Sequence, residues 1–198
     1  MSELLFIRHA QTHMAGTFCG HSDPQLNAVG CSQLPGLISA LSKEKISVVY
    51  TSDLRRTHAT AMAIAKAFSV DCHVRSALRE ICFGQWEGIT WEEIERRDPI
   101  YARRWIAEYP FLPAPGGERF QDFERRVLEE VRFLSLEAEA SDCCIAVVTH
   151  AGVLRTVLCA LHGCSEESAW KQAKLNCSVI RHSIASAPSS IRTVEVKS

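Results

Sequence analysis

Residues 4–7, Leu-Leu-Phe-Ile, and residues 144–148, Cys-Ile-Ala-Val-Val, are short runs apolar at every position. An amphipathic strand alternates; an unbroken run of this length is the pattern of a strand buried on both faces, as in a parallel sheet layered by helices. Each run stops abruptly in polar residues. The first gives way to Arg8-His9-Ala10-Gln11-Thr12 and the second to Thr149-His150-Ala151-Gly152. Ligands of open α/β sheets bind beyond the carboxyl ends of the strands, so both imidazoles are candidates for one pocket. Histidine together with arginine at such a place suggests phosphate chemistry.

The rest of the chain supports that architecture. Asn27 is placed to cap a helix over 27–43, in which Pro35 predicts a kink or a late start. Residues 46–51 read as a strand, and Ser52 or Asp53 as the cap of an alanine-rich helix reaching 68. A short strand follows at 71–75, then two short helices at 90–97 and 100–108, split by Asp98-Pro99. Three prolines and two glycines make 110–117 a loop. Phe123, Val127, Val131 and Leu134 have the spacing of one buried helical face within 120–138. Helix 152–161 follows the second apolar strand, and 178–184 and 191–196 are late strand candidates. The order predicts a single three-layer α/β domain over 1–198. Its central sheet is mainly parallel, with helices on both faces and a helical insertion near 90–140.

Composition narrows the function classes. With 22 Lys and Arg against 23 Asp and Glu, the formal net charge is -1, so no global field favours nucleic acid or a membrane surface. An anion site must therefore be a local cluster. No apolar run approaches ~18 residues, so no membrane span is expected. The nine cysteines lack metal-ligand spacing, and no secretory signal is apparent at the start; reduced thiols in a cytoplasmic protein are expected.

Phosphoryl transfer needs an in-line nucleophile, a proton donor for the leaving oxygen, and positive groups around the equatorial oxygens. His9 suits the first role if neighbouring arginines keep it neutral, since like charge disfavours imidazolium. Arg8 offers bidentate contacts to phosphate. Ser52-Asp53-Leu54-Arg55-Arg56-Thr57-His58 follows a strand and opens a helix, where backbone amides favour anions. Leu78-Arg79-Glu80 precedes Phe83-Gly84-Gln85-Trp86-Glu87-Gly88, and a carboxyl among aromatic rings suits a general acid. Taken singly, each has a plainer reading: a surface turn, a solvated basic turn, a surface carboxylate, packed rings.

Taken in order, these motifs resemble the histidine phosphatase (phosphoglycerate-mutase-like) superfamily over nearly the whole chain. Gly20-His21-Ser22-Asp23-Pro24-Gln25-Leu26 and Pro115-Gly116-Gly117-Glu118 complete the set. The resemblance implies that His9 is the nucleophile that becomes phosphohistidine. Arg8, Arg56 and His150 would bind the phosphoryl group, and Glu80 would protonate the leaving alcohol and then help activate water. Gln11, Thr12, Gly20, His21 and Ala151 are candidates for the substrate pocket. No metal or cofactor is implied. The family usually has glycine where this chain has Ala10 and Ala151, and many members have asparagine where it has Ala15. Each of the first two changes adds a methyl near the phosphate, which tightens the pocket.

The chain is compact, whereas mutases of this family are typically longer, with segments that close the pocket against water. Hydrolysis is therefore favoured over phosphoryl return. The length and the aromatic segment with Tyr101, Trp105 and Tyr109 are most similar to bacterial alpha-ribazole phosphatases, which act in assembly of the cobalamin nucleotide loop. Broad-specificity sugar or small-molecule phosphatases share these features, and a phosphoglycerate mutase is the further enzymatic alternative. A non-catalytic phospho-ligand-binding protein is the alternative of a different class. The expected partner is a small-molecule phosphomonoester, and the chain is expected to be a monomer or homodimer.

Overall fold

The computed structural model describes residues 2–184 and 193–194. The two apolar runs become β1 (Glu3–Arg8) and β4 (Cys144–Thr149), which pair in parallel with Leu4 opposite Ile145 and Ile7 opposite Val148. Beyond β4 lie β2 (Ile46–Thr51) and β3 (Cys72–Val74), also parallel. β5 (Val179–Ser183) runs antiparallel on the far side of β1, and the two-residue β6 (Thr193–Val194) closes that edge. The described order is β3-β2-β4-β1-β5-β6. Of the strand expected at 191–196, residues 191–192 and 195–196 lie outside the described residues.

Alternation along the central strands feeds two cores. Leu4, Phe6, Ile145 and Val147 face α5 (Phe120–Ser141), α6 (Ala151–His162) and α7 (Glu166–Ala173). Leu5, Ile7, Ala146 and Val148 face α1 (Ala28–Leu41) and α2 (Arg55–Phe68). Burial on both faces is why these segments carry no polar residue until they end. The helical stretch also holds α3 (Trp91–Arg97) and α4 (Pro99–Ala107), capped by Thr90 and Asp98, around a separate aromatic core with Trp86 and Ile94. Among the described residues, no helix is long and apolar enough to cross a membrane.

One local expectation is narrowed and another corrected. Of the kink or late start expected from Pro35, the late start is excluded: α1 begins at Ala28, capped by Asn27 as expected, with Pro35 inside it. α2 is capped by Leu54 without a side-chain bond, because Ser52 and Asp53 are engaged elsewhere. β1 continues into α1 on one face and β4 into α6 on the other. The two chains thus diverge where neighbouring strands end, which opens a crevice at that point.

Candidate active site

His9 and His150 leave these two strand ends side by side, ring centroids 5.3 Å apart and edge to face. His9 Nδ1 lies 2.7 Å from the Ala10 carbonyl, which only accepts, so Nδ1 carries the proton and Nε2 keeps its lone pair. His150 has the opposite tautomer. Arg56 Nε donates to its Nδ1 at 3.2 Å, leaving Nε2–H to donate to Ser52 Oγ at 2.9 Å. Burial holds both imidazoles well below the usual range; Arg8 and Arg56 add to this at His9, and Arg56, His9 and Arg8 at His150. Both rings are neutral at pH 7.

Charge comes from two guanidinium groups. Arg8 donates through Nη1 to the Lys174 carbonyl, and its Nε is buried without a partner. Arg56 is fully buried and donates to the carbonyls of Ser22 at 2.6 Å and Gly20 at 2.7 Å. Neither forms an ion pair among the described residues, whereas Arg75, Arg79, Arg126 and Arg181 all do. A buried cation without a carboxylate is costly to fold and is what an anion site requires.

Glu80 closes the cluster. Its carboxylate accepts from the Gly152 N–H at 2.9 Å and the Ile81 N–H at 2.9 Å. A Cβ at Gly152 would sit 2.1 Å from Glu80 Oε1, so only glycine lets the first turn of α6 close onto this carboxylate. Arg126, paired with Glu118, donates to the carbonyls of Ala77, Arg79 and Glu80 and fixes the segment that carries it.

A cavity of about 910 Å³ opens over the cluster, lined by Arg8, His9, Gln11, Thr12, Glu80 and Ala151 at this end. Arg56 and His150 belong to the cluster but do not line the cavity. Gly20 and His21, expected in the pocket, also lie behind it. The His21 ring donates to the Glu80 carbonyl at 3.1 Å, and a Cβ at Gly20 would meet the Ile81 carbonyl at 2.1 Å. Ala10 is corrected too: its side chain is buried with Leu5 and Ile7 and narrows nothing, while Ala151 and Ala15 do line the cavity.

Two residues around this cluster escaped the sequence reading. Glu87 accepts backbone N–H groups from Gly20 at 3.0 Å, His21 at 2.8 Å, Ser22 at 3.0 Å and Phe83 at 3.0 Å. Burial pushes its carboxyl up, but the Ser22 side chain and the backbone bonds from Phe83, Ser22 and His21 outweigh burial and leave it below the usual carboxylate range. Asn176 lines the cavity and donates to the His9 carbonyl at 2.9 Å. Its signal, a polar turn ahead of a strand, becomes informative only once β5 is known to lie beside β1. Among the described residues, no group of three or more His, Cys, Asp or Glu side chains is placed to hold a metal ion.

Comparison with known proteins agrees with this geometry. The sequence model of the histidine phosphatase superfamily (branch 1) matches residues 4–196. Phosphoserine phosphatase 1 of Hydrogenobacter thermophilus is 33% identical over 175 residues, covering 86% of this chain and 81% of the relative. The adenosylcobalamin/alpha-ribazole phosphatase of Salmonella typhimurium is 30% identical over 170 residues, covering 84% of this chain and 83% of the relative. The crystal structure of the alpha-ribazole phosphatase from Shigella flexneri superposes with a TM-score of 0.84 at 27% identity, covering 97% of this chain and 95% of the other.

Proposed function

The chain belongs to the histidine phosphatase superfamily and is a phosphatase, and from that premise we propose that it hydrolyses small phosphomonoesters through a phosphohistidine at His9. One observation carries the reading: a neutral His9 with Nε2 free, beside two guanidiniums that have no carboxylate partner among the described residues, and sharing one cavity with Glu80. Nε2 attacks phosphorus as the ester P–O bond breaks, and the departing alkoxide takes a proton from the Glu80 carboxyl. Water then attacks the phosphohistidine, its proton passes to the Glu80 carboxylate, and phosphate leaves with Nε2 regenerated. Arg8 contacts the phosphoryl oxygens from the cavity wall. Arg56 and His150 stabilise the developing charge from behind, and direct contact by Arg56 requires exchanging loop carbonyls for phosphate oxygens. No step calls for a metal ion.

We take alpha-ribazole phosphate as the preferred substrate. A cavity of about 910 Å³ flanked by Phe18, Phe83, Trp91 and Trp105 is far larger than a phosphate and suits a bulky aromatic leaving group. Phosphoserine is the second reading, favoured by the 33% identical relative. Release of inorganic phosphate from alpha-ribazole phosphate, phosphoserine, phosphoglycerates, sugar phosphates and phenyl phosphate, without added metal, tests both. Preference for alpha-ribazole phosphate, with turnover abolished in His9→Ala, is the expected result. Preference for phosphoserine replaces the substrate, comparable rates across the panel identify a broad-specificity enzyme, and turnover surviving in His9→Ala overturns the covalent route.

A further inference from the structure

Away from the phosphate end, the cavity wall carries two polar groups that the proposed hydrolysis does not use. Tyr109 follows α4, and Arg155 lies one helical turn beyond Ala151 on α6; both line the cavity. The Arg155 guanidinium lies 5.2 Å from the ring centroids of both Tyr109 and Phe120. Tyr109 Oη is buried without a hydrogen-bond partner, and Arg155 Nε, also buried, has only the Glu166 carboxylate, 3.5 Å away on a side chain 55% exposed.

Such atoms are uncommon, because buried phenols and guanidiniums ordinarily find acceptors. The other two tyrosines of this chain do. Tyr50 donates to Glu137 at 2.5 Å and Tyr101 to the Pro113 carbonyl at 2.9 Å. Burial pushes the Tyr109 phenol up to about 12, so it remains a donor at any physiological pH. The wall therefore carries a neutral and a cationic donor on adjacent side chains, with Glu166 beside them, along the space a leaving group would fill.

We propose that Tyr109 and Arg155 form a second polar subsite that binds a hydrogen-bond acceptor on the leaving group of the substrate. The inference rests on the phosphatase reading of the His9 cavity and adds a requirement to it. A bare alkyl or aryl phosphate satisfies the phosphate end and leaves the Tyr109 hydroxyl unpaired and Arg155 with only the distant Glu166 carboxylate. A substrate with a carboxylate, or with an unprotonated ring nitrogen in an attached base, satisfies both ends.

The test uses two conservative variants, Tyr109→Phe, which removes one hydroxyl, and Arg155→Lys, which keeps the charge but loses the Nε–H edge. Phosphate release is measured with two matched pairs. Phosphoserine and phosphoethanolamine differ by a carboxylate; alpha-ribazole phosphate and ribose 5-phosphate differ by the base. Phenyl phosphate is the reference. Each variant is expected to raise KM about tenfold for the acceptor-bearing member of one pair, with kcat and the phenyl phosphate kinetics unchanged to within about twofold. The affected pair identifies the acceptor as carboxylate or ring nitrogen. An equal loss on all five esters signals a structural role and overturns the subsite, as does no loss on any. Absence of wild-type turnover on phenyl phosphate marks failure of the underlying phosphatase reading instead.

Discussion

At the His9 end of the cavity, the protein's own polar atoms hold the reacting groups: Ala10 sets one tautomer, Arg56 and Ser52 the other, and two backbone amides fix Glu80. At the far end, Tyr109 Oη has no such partner, Arg155 Nε has only Glu166 at 3.5 Å, and the wall is a set of aromatic rings borne on several helices and the loops between them. The contrast separates two tasks. Groups that meet every substrate's phosphate are preorganised by strand ends and helix starts. Groups that meet only the leaving alcohol are left to be completed by the ligand, so they can vary without disturbing the chemistry.

The largest expected effect comes from breaking the preorganised end. Arg56→Met removes a fully buried charge and frees the carbonyls of Gly20 and Ser22. Steady-state kinetics on phenyl phosphate should show kcat/KM falling roughly 10²- to 10³-fold, the range for losing one preorganised donor to transition-state charge. Unfolding should also become easier by about 1–3 kcal/mol, the cost of leaving buried acceptors unsatisfied. A loss below about tenfold would mean that Arg56 holds the 19–22 loop and contributes little to the reacting phosphoryl group.

A smaller effect follows from the two neutral imidazoles. In the unfolded chain, histidine titrates near 6.5; in the folded chain, His9 and His150 lie well below that because of burial and the neighbouring guanidiniums. Protons therefore bind the unfolded state first. Stability is fully present above about pH 6.5 and is lost as pH falls from there towards the depressed native values. Urea unfolding at a series of pH values should show this decline, and His150→Gln should make it shallower. It should not abolish it, because His9, His162 and His182 are lowered as well. An unchanged slope in His150→Gln would show that His150 is not held neutral by the site.

The same division governs what could be read before the fold was known. The apolar runs at 4–7 and 144–148 announced buried strands because they must avoid polar atoms on both faces, and the residues ending them had to reach the ligand edge. Arg8, His9, Glu80 and Ala151 duly line one cavity. Gly20 and His21 did not follow, because their motif serves a loop that Glu87 ties down from behind, and a carboxylate gathering four backbone amides leaves no periodicity in sequence. Asn176 and Arg155 were missed for a different reason. Their importance depends on β5 lying beside β1 and on α6 extending along the cavity, both products of long-range topology.

Trp105 sharpens the comparison with the smallest expected change. Its ring packs 5.1 Å from Trp86 and 5.9 Å from Trp91, yet it also lines the cavity, so core and contact roles coincide in one side chain. Trp86 beneath it is only 6% exposed and anchors the aromatic core, which should survive a change at its neighbour. Trp105→Leu retains apolar bulk and loses the stacking face, worth about 0.5–1.5 kcal/mol, or roughly a twofold to tenfold change in binding. That loss should appear in KM for alpha-ribazole phosphate and be absent for phosphoserine, whose leaving group has no ring to stack. If both substrates weaken together, the ring acts by shaping the cavity as a whole. The aromatic wall and the phosphate end would then be one mechanical unit, and the division between them would fail.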